Sequence, residues 1–302
     1  MTGGATHAGP RPFRALLAIL ADIRFEQTLF SLPFLLLSAL VAAAGVPAGH
    51  VLGWILVALV GARSAAMAVN RAADAAFDAR NPRTAGRAVP SGRVPRVAMG
   101  AFAAVSTAAF VLAAAMLNPL CLALSPVALA FLIGYSWTKR FTPLCHLVLG
   151  ATLGIAPLGA WAAVRGTFGD GAGGVDWFPW LLALGVAQWV AGFDVLYSCP
   201  DAERDRAEGL HAIPRRVGVV RAFRVAAGLH AGAVLAFAAA GGAGGLGLAW
   251  WAALAVGAGV LVLEHLLVRP GRYGRMATAF FRLNAAFSAL LLAGGALDVL
   301  LL

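Results

Sequence analysis

The sequence predicts an all-α, polytopic membrane bundle of nine transmembrane helices. Of the 302 residues, 61% are hydrophobic and only 12% are charged, whereas soluble domains carry about 25% charged residues. Four long windows contain no Asp, Glu, Lys or Arg: residues 27–62, 97–138, 141–164 and 225–263. One span needs about 20 apolar residues, so the longer windows each hold two spans or most of two.

Turn signals divide these windows into separate helices. A Val-Pro-Ala-Gly turn at 46–49 follows the first segment, Asn118-Pro119 separates the third from the fourth, and glycines at 241–247 separate the seventh from the eighth. The loops are too short for a soluble domain, so we expect a single membrane domain, 1–302, with a basic arm at 1–24 and a nine-helix core at 25–302. The predicted spans are residues 25–45, 51–70, 97–117, 120–137, 144–164, 178–198, 219–240, 248–268 and 279–302.

Arg and Lys gather in alternate loops, as the positive-inside rule requires. Basic residues occupy the N-terminal arm and the loops after the second, fourth, sixth and eighth spans, while the opposite loops contain only Arg165. This asymmetry predicts a multi-pass protein of the inner (cytoplasmic) membrane with a cytoplasmic N-terminus and an external C-terminus. It also accounts for the net charge of +10, which therefore gives no reason to predict nucleic-acid binding.

Acidic residues recur at helical spacing where the second and sixth spans end. Residues 70, 74 and 78 are Asn, Asp and Asp, four apart, and share one stripe of a helix. Aspartates at 194, 201 and 205 are seven and four apart and predict a second stripe. A single aspartate here is as easily a helix cap paired with an arginine, but two stripes on matching helices favour a trap for Mg²⁺, which takes oxygen ligands. The predicted catalytic and magnesium-binding residues are Asp74, Asp78, Asp201 and Asp205.

Basic residues lie on the same predicted side of the membrane as these carboxylates. Some only maintain orientation, but guanidinium and ammonium groups also bind phosphate. Tyr135 and Lys139 are four apart and share one helical face. Acidic and basic clusters beside an apolar bundle predict an Mg²⁺–diphosphate site whose substrate carries a lipid tail. The predicted diphosphate-binding residues are Asn70, Arg83, Arg87, Tyr135, Lys139 and Arg140.

These motifs resemble those of the UbiA-type family of intramembrane prenyltransferases. The family's N-x-x-x-D-x-x-x-D motif corresponds to residues 70–78, and its NPRT-x-x-R-x-x-P-x-G motif to residues 81–92. The second acidic motif, D-x-x-x-D, corresponds to residues 201–205, and the Y-x-x-x-K element to residues 135–139. The resemblance extends over the whole chain, because nine helices is that family's architecture. His211 departs from it, since many members have Lys there.

The resemblance implies transfer of a polyprenyl group from polyprenyl diphosphate to an aromatic acid in quinone biosynthesis, with Mg²⁺ as cofactor. The departing diphosphate leaves an allylic cation, which an electron-rich ring attacks. Residues 25–34, 135–146, 193–201 and 209–214 resemble the 4-hydroxybenzoate polyprenyltransferase-like branch. Within it they are most similar to members of the futalosine route to menaquinone, whose acceptor is 1,4-dihydroxy-6-naphthoate. The alternative acceptor is 4-hydroxybenzoate, on the ubiquinone route.

Two polar residues, Arg63 and Asn284, lie inside predicted apolar spans. Arg63 lies well inside a span, where a charge is costly, so it either binds the acceptor's carboxylate or pairs near the interface with an acid such as Glu26. Asn284 is predicted to make an interhelical hydrogen bond.

A membrane transporter is the alternative class of protein, although the carboxylates crowd one end of the helices and not the midplane. The predicted substrate-binding residues are Arg63, Asp194 and Tyr197.

Overall fold

The computed structural model describes residues 12–23, 28–82 and 84–301. The regular secondary structure of these residues is helical, which confirms the predicted all-α class. The α-helices are α1 Pro12–Asp22, α2 Thr28–Ala43, α3 Gly49–Asp78, α4 Arg96–Leu117, α5 Pro119–Thr138, α6 Cys145–Arg165, α7 Trp177–Ser198, α8 Ala202–Ala207, α9 Ile213–Val217, α10 Val219–Ala243, α11 Leu248–Leu267, α12 Met276–Thr278 and α13 Asn284–Leu301.

Within the described residues, a helix occupies each of the nine predicted spans. Eight of these helices are long and apolar enough to cross a membrane. The other, α2, has 16 described residues, fewer than the roughly 20 that a span needs. Residues 24–27, at its predicted start and including Glu26, lie outside the residues that the structure describes. The polytopic bundle is therefore confirmed, and the count of nine spans is approximate.

One predicted helix boundary is wrong, and one predicted span differs in its first turn. Helix α3 continues to Asp78 instead of ending at Asn70, because the added residues are rich in alanine and contain no Gly or Pro. The last span begins at Ala279, as predicted, but its first turn, Ala279–Leu283, is π-helical and precedes α13. The extension of α3 matters for function, because it carries the first acidic motif beyond the apolar span on a rigid helix.

Part of the predicted basic arm is also helical. Ile19 on α1 and Ile23, the residue after that helix, are buried in a cluster with Met67 and Met99. Arg71 Nε on α3 donates a hydrogen bond to the Asp22 carbonyl oxygen at 3.0 Å. Helix α1 is therefore packed against the extension of α3.

Helices α6 and α7 pack with their backbones in close contact. A Cβ atom on Gly150 would overlap the Ala187 carbonyl group, and one on Gly154 would lie 2.7 Å from the Ala183 carbonyl oxygen. Small residues permit such contacts, and close packing contributes much of the helix association energy where lipid removes the hydrophobic driving force. The contact fixes the position of α7, which leads into the second acidic motif.

A buried polar network crosses the apolar core. Trp189 Nε1 on α7 donates to Asn284 Oδ1 on α13 at 2.8 Å, and Asn284 Nδ2 donates to Glu264 Oε1 on α11 at 3.0 Å. These bonds confirm Asn284 as an interhelical hydrogen-bonding residue. They fix the positions of α7, α11 and α13 relative to one another.

The predicted orientation can be tested with single cysteines in a background where the natural cysteines are replaced by serine. Ala79 follows α3 and Ala172 lies in the loop between α6 and α7, and both are exposed. We expect Ala172→Cys in intact cells to react with a membrane-impermeant maleimide, and Ala79→Cys to react only after permeabilisation. The opposite pattern would reverse the topology.

Candidate active site

The first acidic segment is the last part of α3. Asn70 Nδ2 donates to Asp74 Oδ2 at 3.1 Å, so the predicted stripe exists on the helix. Asp78 is the last residue of α3 and is 7% exposed. A carboxylate at a helix C-terminus lies at the unfavourable end of the helix dipole, so Asp78 depends on a neighbouring cation.

The loop after α3 supplies that cation. Thr84 Oγ1 donates to the Asp78 carbonyl oxygen at 3.1 Å, which turns the loop back towards the helix. Arg87 Nη1 then lies 2.7 Å from both carboxylate oxygens of Asp78. Arg87 therefore lies at the acidic motif, as its predicted role requires. Arg83 lies outside the described residues.

The spacing of the second acidic segment predicted one continuous helical stripe, but the segment is not one uninterrupted α-helix. Asp194 lies on α7, Asp201 ends the 3₁₀ turn Cys199–Asp201, and Asp205 lies on α8. Pro200 causes the change, because it has no N–H for the helix ladder and its ring crowds the carbonyl four residues earlier. Asp205 is buried and Asp201 is half-buried.

Two adjacent residues after α5 join the two acidic segments. Lys139 Nζ lies 2.7 Å from Asp205 Oδ1 on α8. Arg140 Nη2 lies 3.2 Å from Asp74 Oδ1 on α3. We call this pair of contacts the Lys139–Arg140 bridge. Because neighbouring residues contact both segments, the segments lie close together at one end of the bundle, which we call the motif end.

The chemistry of the motif end fits a divalent cation bound together with a phosphate. Mg²⁺ prefers oxygen ligands such as carboxylates, and Asp205 Oδ2 is buried with no hydrogen-bond partner among the described residues. Within the described part of the chain, no three His, Cys, Asp or Glu side chains already form a metal-binding group. Asp74, Asp78 and Asp205 each contact a basic side chain, which offsets the cost of burying their charge.

A cavity of about 610 Å³ lies between α2, α3, α4, α5, α6 and α7. Along α5 its lining extends from Cys121 to Tyr135, which is about 21 Å at a rise of 1.5 Å per residue. The walls are mostly aliphatic and aromatic, and none of the four aspartates lines them. A narrow apolar space of this length suits a hydrocarbon chain.

Arg63 and Tyr135 bring polar groups into the cavity wall. The Tyr135 hydroxyl donates a weak hydrogen bond to Met67 Sδ at 3.8 Å. Although the sequence grouped Tyr135 with Lys139, the phenol lines the cavity while the ammonium contacts Asp205. Arg63 and Tyr135 therefore belong to the cavity, next to the ionic cluster of the motif end.

The two remaining predicted substrate-binding residues have different neighbours. Asp194 Oδ2 lies 2.6 Å from Nδ1 of His146, a buried residue in the first turn of α6. The ring of Tyr197 packs on Phe280, with their centroids 4.3 Å apart. His146 was not among the predicted site residues, because in the sequence it is marked only as a polar residue at the start of an apolar helix.

The UbiA prenyltransferase family profile matches residues 31–288, most of the chain. The chain belongs to the UbiA prenyltransferase family. This UbiA chain is 33% identical over 246 residues to a protein of Alkalilimnicola ehrlichii named 4-hydroxybenzoate octaprenyltransferase, covering 81% of this chain and 80% of that one. It is similar to the apo structure of a UbiA homolog from Aeropyrum pernix K1, with a TM-score of 0.82, 37% identity, and coverage of 92% of this chain and 99% of that chain.

A more distant structure has the same fold. A UbiA homolog from Archaeoglobus fulgidus bound to GPP and Mg²⁺ is 16% identical, with a TM-score of 0.64 over 92% of this chain and 99% of that chain. The comparisons confirm the predicted family, and they confirm an aromatic prenyltransferase over the transporter alternative. The Alkalilimnicola relative carries the name of the alternative acceptor, 4-hydroxybenzoate, and so favours it over dihydroxynaphthoate.

The Lys139–Arg140 bridge should contribute to the folding stability of this UbiA protein. We expect Lys139→Gln to lower the melting temperature by a few degrees, because it leaves the buried Asp205 carboxylate without its cation. Asp205→Asn should cost less, because the remaining ammonium group is 35% exposed and reaches solvent. Arg165→Gln, which removes a half-exposed 3.7 Å pair with Asp176 away from the motif end, is the control and should change little. Equal melting temperatures for all three purified variants would contradict the bridge.

Proposed function

We propose that this enzyme transfers a polyprenyl group from polyprenyl diphosphate to 4-hydroxybenzoate. The observation that carries the proposal is the Lys139–Arg140 bridge, which joins two acidic segments beside an apolar cavity with Arg63 in its wall. The ionic end suits a diphosphate, the cavity suits its hydrocarbon tail, and a guanidinium suits the carboxylate of an aromatic acid.

Donor binding exchanges one set of charge contacts for another. Three carboxylate–cation pairs at the motif end have N–O distances of 2.7, 2.7 and 3.2 Å. When they separate, the basic side chains can donate to phosphate oxygens and the carboxylates can accept a metal ion, so no buried charge is left alone. Mg²⁺, when bound, would neutralise negative charge on the leaving diphosphate. The residues proposed to hold it are Asp74, Asp78, Asp201 and Asp205.

The protein's own residues bind, orient and exclude water. Basic groups of the Lys139–Arg140 bridge stabilise the negative charge that develops on the diphosphate as the bond from prenyl C1 to oxygen breaks. A ring carbon of the acceptor then forms the new carbon–carbon bond to C1 and loses its proton. The apolar cavity keeps water away from the allylic cation, and no side-chain nucleophile is needed.

The choice of acceptor rests on the relatives. The Alkalilimnicola protein is named for 4-hydroxybenzoate, whereas the sequence details favoured 1,4-dihydroxy-6-naphthoate. Both acids carry a carboxylate, so Arg63 does not distinguish them. Competition between equal concentrations of the two acids in the same membranes, with the products separated by mass, decides between the acceptors. Predominance of the naphthoate product would overturn our assignment.

We expect Asp74→Ala and Asp201→Ala each to lower kcat by about two or more orders of magnitude, because each removes a ligand needed most as charge builds on the diphosphate. EDTA should abolish turnover and added MgCl₂ should restore it. Asp170→Ala is the matched control, since this aspartate is exposed in the loop between α6 and α7. Near-normal turnover in the first two variants would rule out the proposed metal ligands.

Arg63 can be tested separately as the acceptor-binding residue. Arg63→Lys keeps the charge but loses the planar fork that binds a carboxylate at two points. We expect the KM for the acceptor to rise about tenfold while the KM for the donor stays unchanged. Arg165→Lys, at the opposite end of the bundle, is the control. Unchanged acceptor KM in both Arg63→Lys and Arg63→Leu would exclude Arg63 as that contact.

A further inference from the structure

A histidine–aspartate pair close to the motif end has no task in the reaction as described so far. His146 Nδ1 lies 2.6 Å from Asp194 Oδ2. His146 is 2% exposed, whereas the side chain of Asp194 keeps 25% of its exposure. A hydrogen bond this short to a carboxylate fixes the orientation of both groups.

Both nitrogens of His146 are engaged. The Ile213 N–H donates to His146 Nε2 at 3.4 Å, so Nε2 is the acceptor and Nδ1 carries the hydrogen directed at Asp194. His146 therefore has no nitrogen left for a substrate. Its neighbour Cys145 also contacts the loop before α9, through the His211 carbonyl oxygen at 3.4 Å.

Helical phase places the pair between the cavity and the acidic segments. Asp194 follows the cavity-lining residue Ala187 by seven positions, and His146 precedes the cavity-lining residue Leu153 by seven. Seven residues is close to two turns, so each side chain continues its helix's cavity-lining face about 10 Å further towards the motif end. A ring held in the polar part of the cavity would meet Asp194 on this path.

We infer that Asp194 accepts a proton from the phenolic hydroxyl of the acceptor, and that His146 is the positioning residue that holds Asp194 for this task. The inference rests on the proposed function. One Asp194 oxygen accepts from His146, which leaves the other for the hydroxyl. The acceptor's carboxylate and hydroxyl lie at opposite ends of its ring, so Arg63 can bind one end and Asp194 the other.

The proton movements balance. The phenolic O–H bond breaks, its electron pair stays on oxygen, and the proton moves to Asp194. The diphosphate leaves with the electron pair of its C–O bond, and the ring carbon ortho to the phenolic oxygen then bonds to prenyl C1. That carbon then loses its hydrogen as a proton to the departed diphosphate, and Asp194 returns its proton to the phenolic oxygen. The net change is one proton released and one carbon–carbon bond formed.

Two amide substitutions separate this role from a purely structural one. His146→Asn places an N–H close to the position of Nδ1 and loses the contact to Ile213. His146→Gln places its amide close to the position of Nε2 and loses the donor to Asp194. We expect kcat to stay within about threefold of wild type in His146→Asn and to fall about 10- to 100-fold in His146→Gln, with the KM for the donor unchanged in both.

A double variant tests whether His146 acts through Asp194. His146→Gln combined with Asp194→Asn should be no slower than Asp194→Asn alone, because the partner is already gone. His265→Leu on α11 is the control, since it removes a histidine that contacts His230 at 3.0 Å outside the site, and its kcat should not change.

Three results would overturn the inference: an active His146→Gln with an impaired His146→Asn, no loss in either variant, or additive losses in the double variant. The first of these would assign His146 to anchoring the loop before α9. Wild-type membranes that form no prenylated aromatic acid would overturn the proposed function instead, so the two failures can be told apart. Melting curves of each variant separate lost activity from lost folding.

Discussion

Charge neutralisation at one end of an apolar bundle is the constraint on which this structure depends. Carboxylates near a membrane are costly unless a cation or a metal compensates them. The Lys139–Arg140 bridge meets that requirement for two separate segments at once, because consecutive residues after α5 contact Asp205 and Asp74. The same contacts draw α3 and α8 together, so neutralising the charge also builds the site.

The rest of the fold holds this end in place. Helix α3 extends beyond its span to present Asp78, and α1 packs against that extension through Arg71 and Asp22. On the other side, Gly150 allows α7 to pack closely on α6. A rigid helix thus carries the first acidic segment and another leads into the second, which favours a site whose groups are already oriented when substrate arrives.

The ionic groups of the motif end and the apolar cavity form separate compartments. The four aspartates lie outside the walls of the apolar cavity, while Arg63 and Tyr135 lie within them. A substrate with a charged head and a long tail matches this division, because each part finds a medium of its own polarity. The boundary between the compartments is the place where a cation formed from the tail can meet an aromatic ring shielded from water.

The sequence by itself determined the all-α membrane class, the segments that became helices and the helical stripe of Asn70 and Asp74, because these depend on composition and local periodicity. The extension of α3 to Asp78 and the interruption at Pro200 also have local causes, although the predictions missed them. Only the tertiary structure decided that Lys139 and Tyr135 face different compartments and that His146 contacts Asp194. His146 and Asp194 are 48 positions apart. Spacing along the chain cannot reveal such a contact, because it arises from how α6 packs on α7.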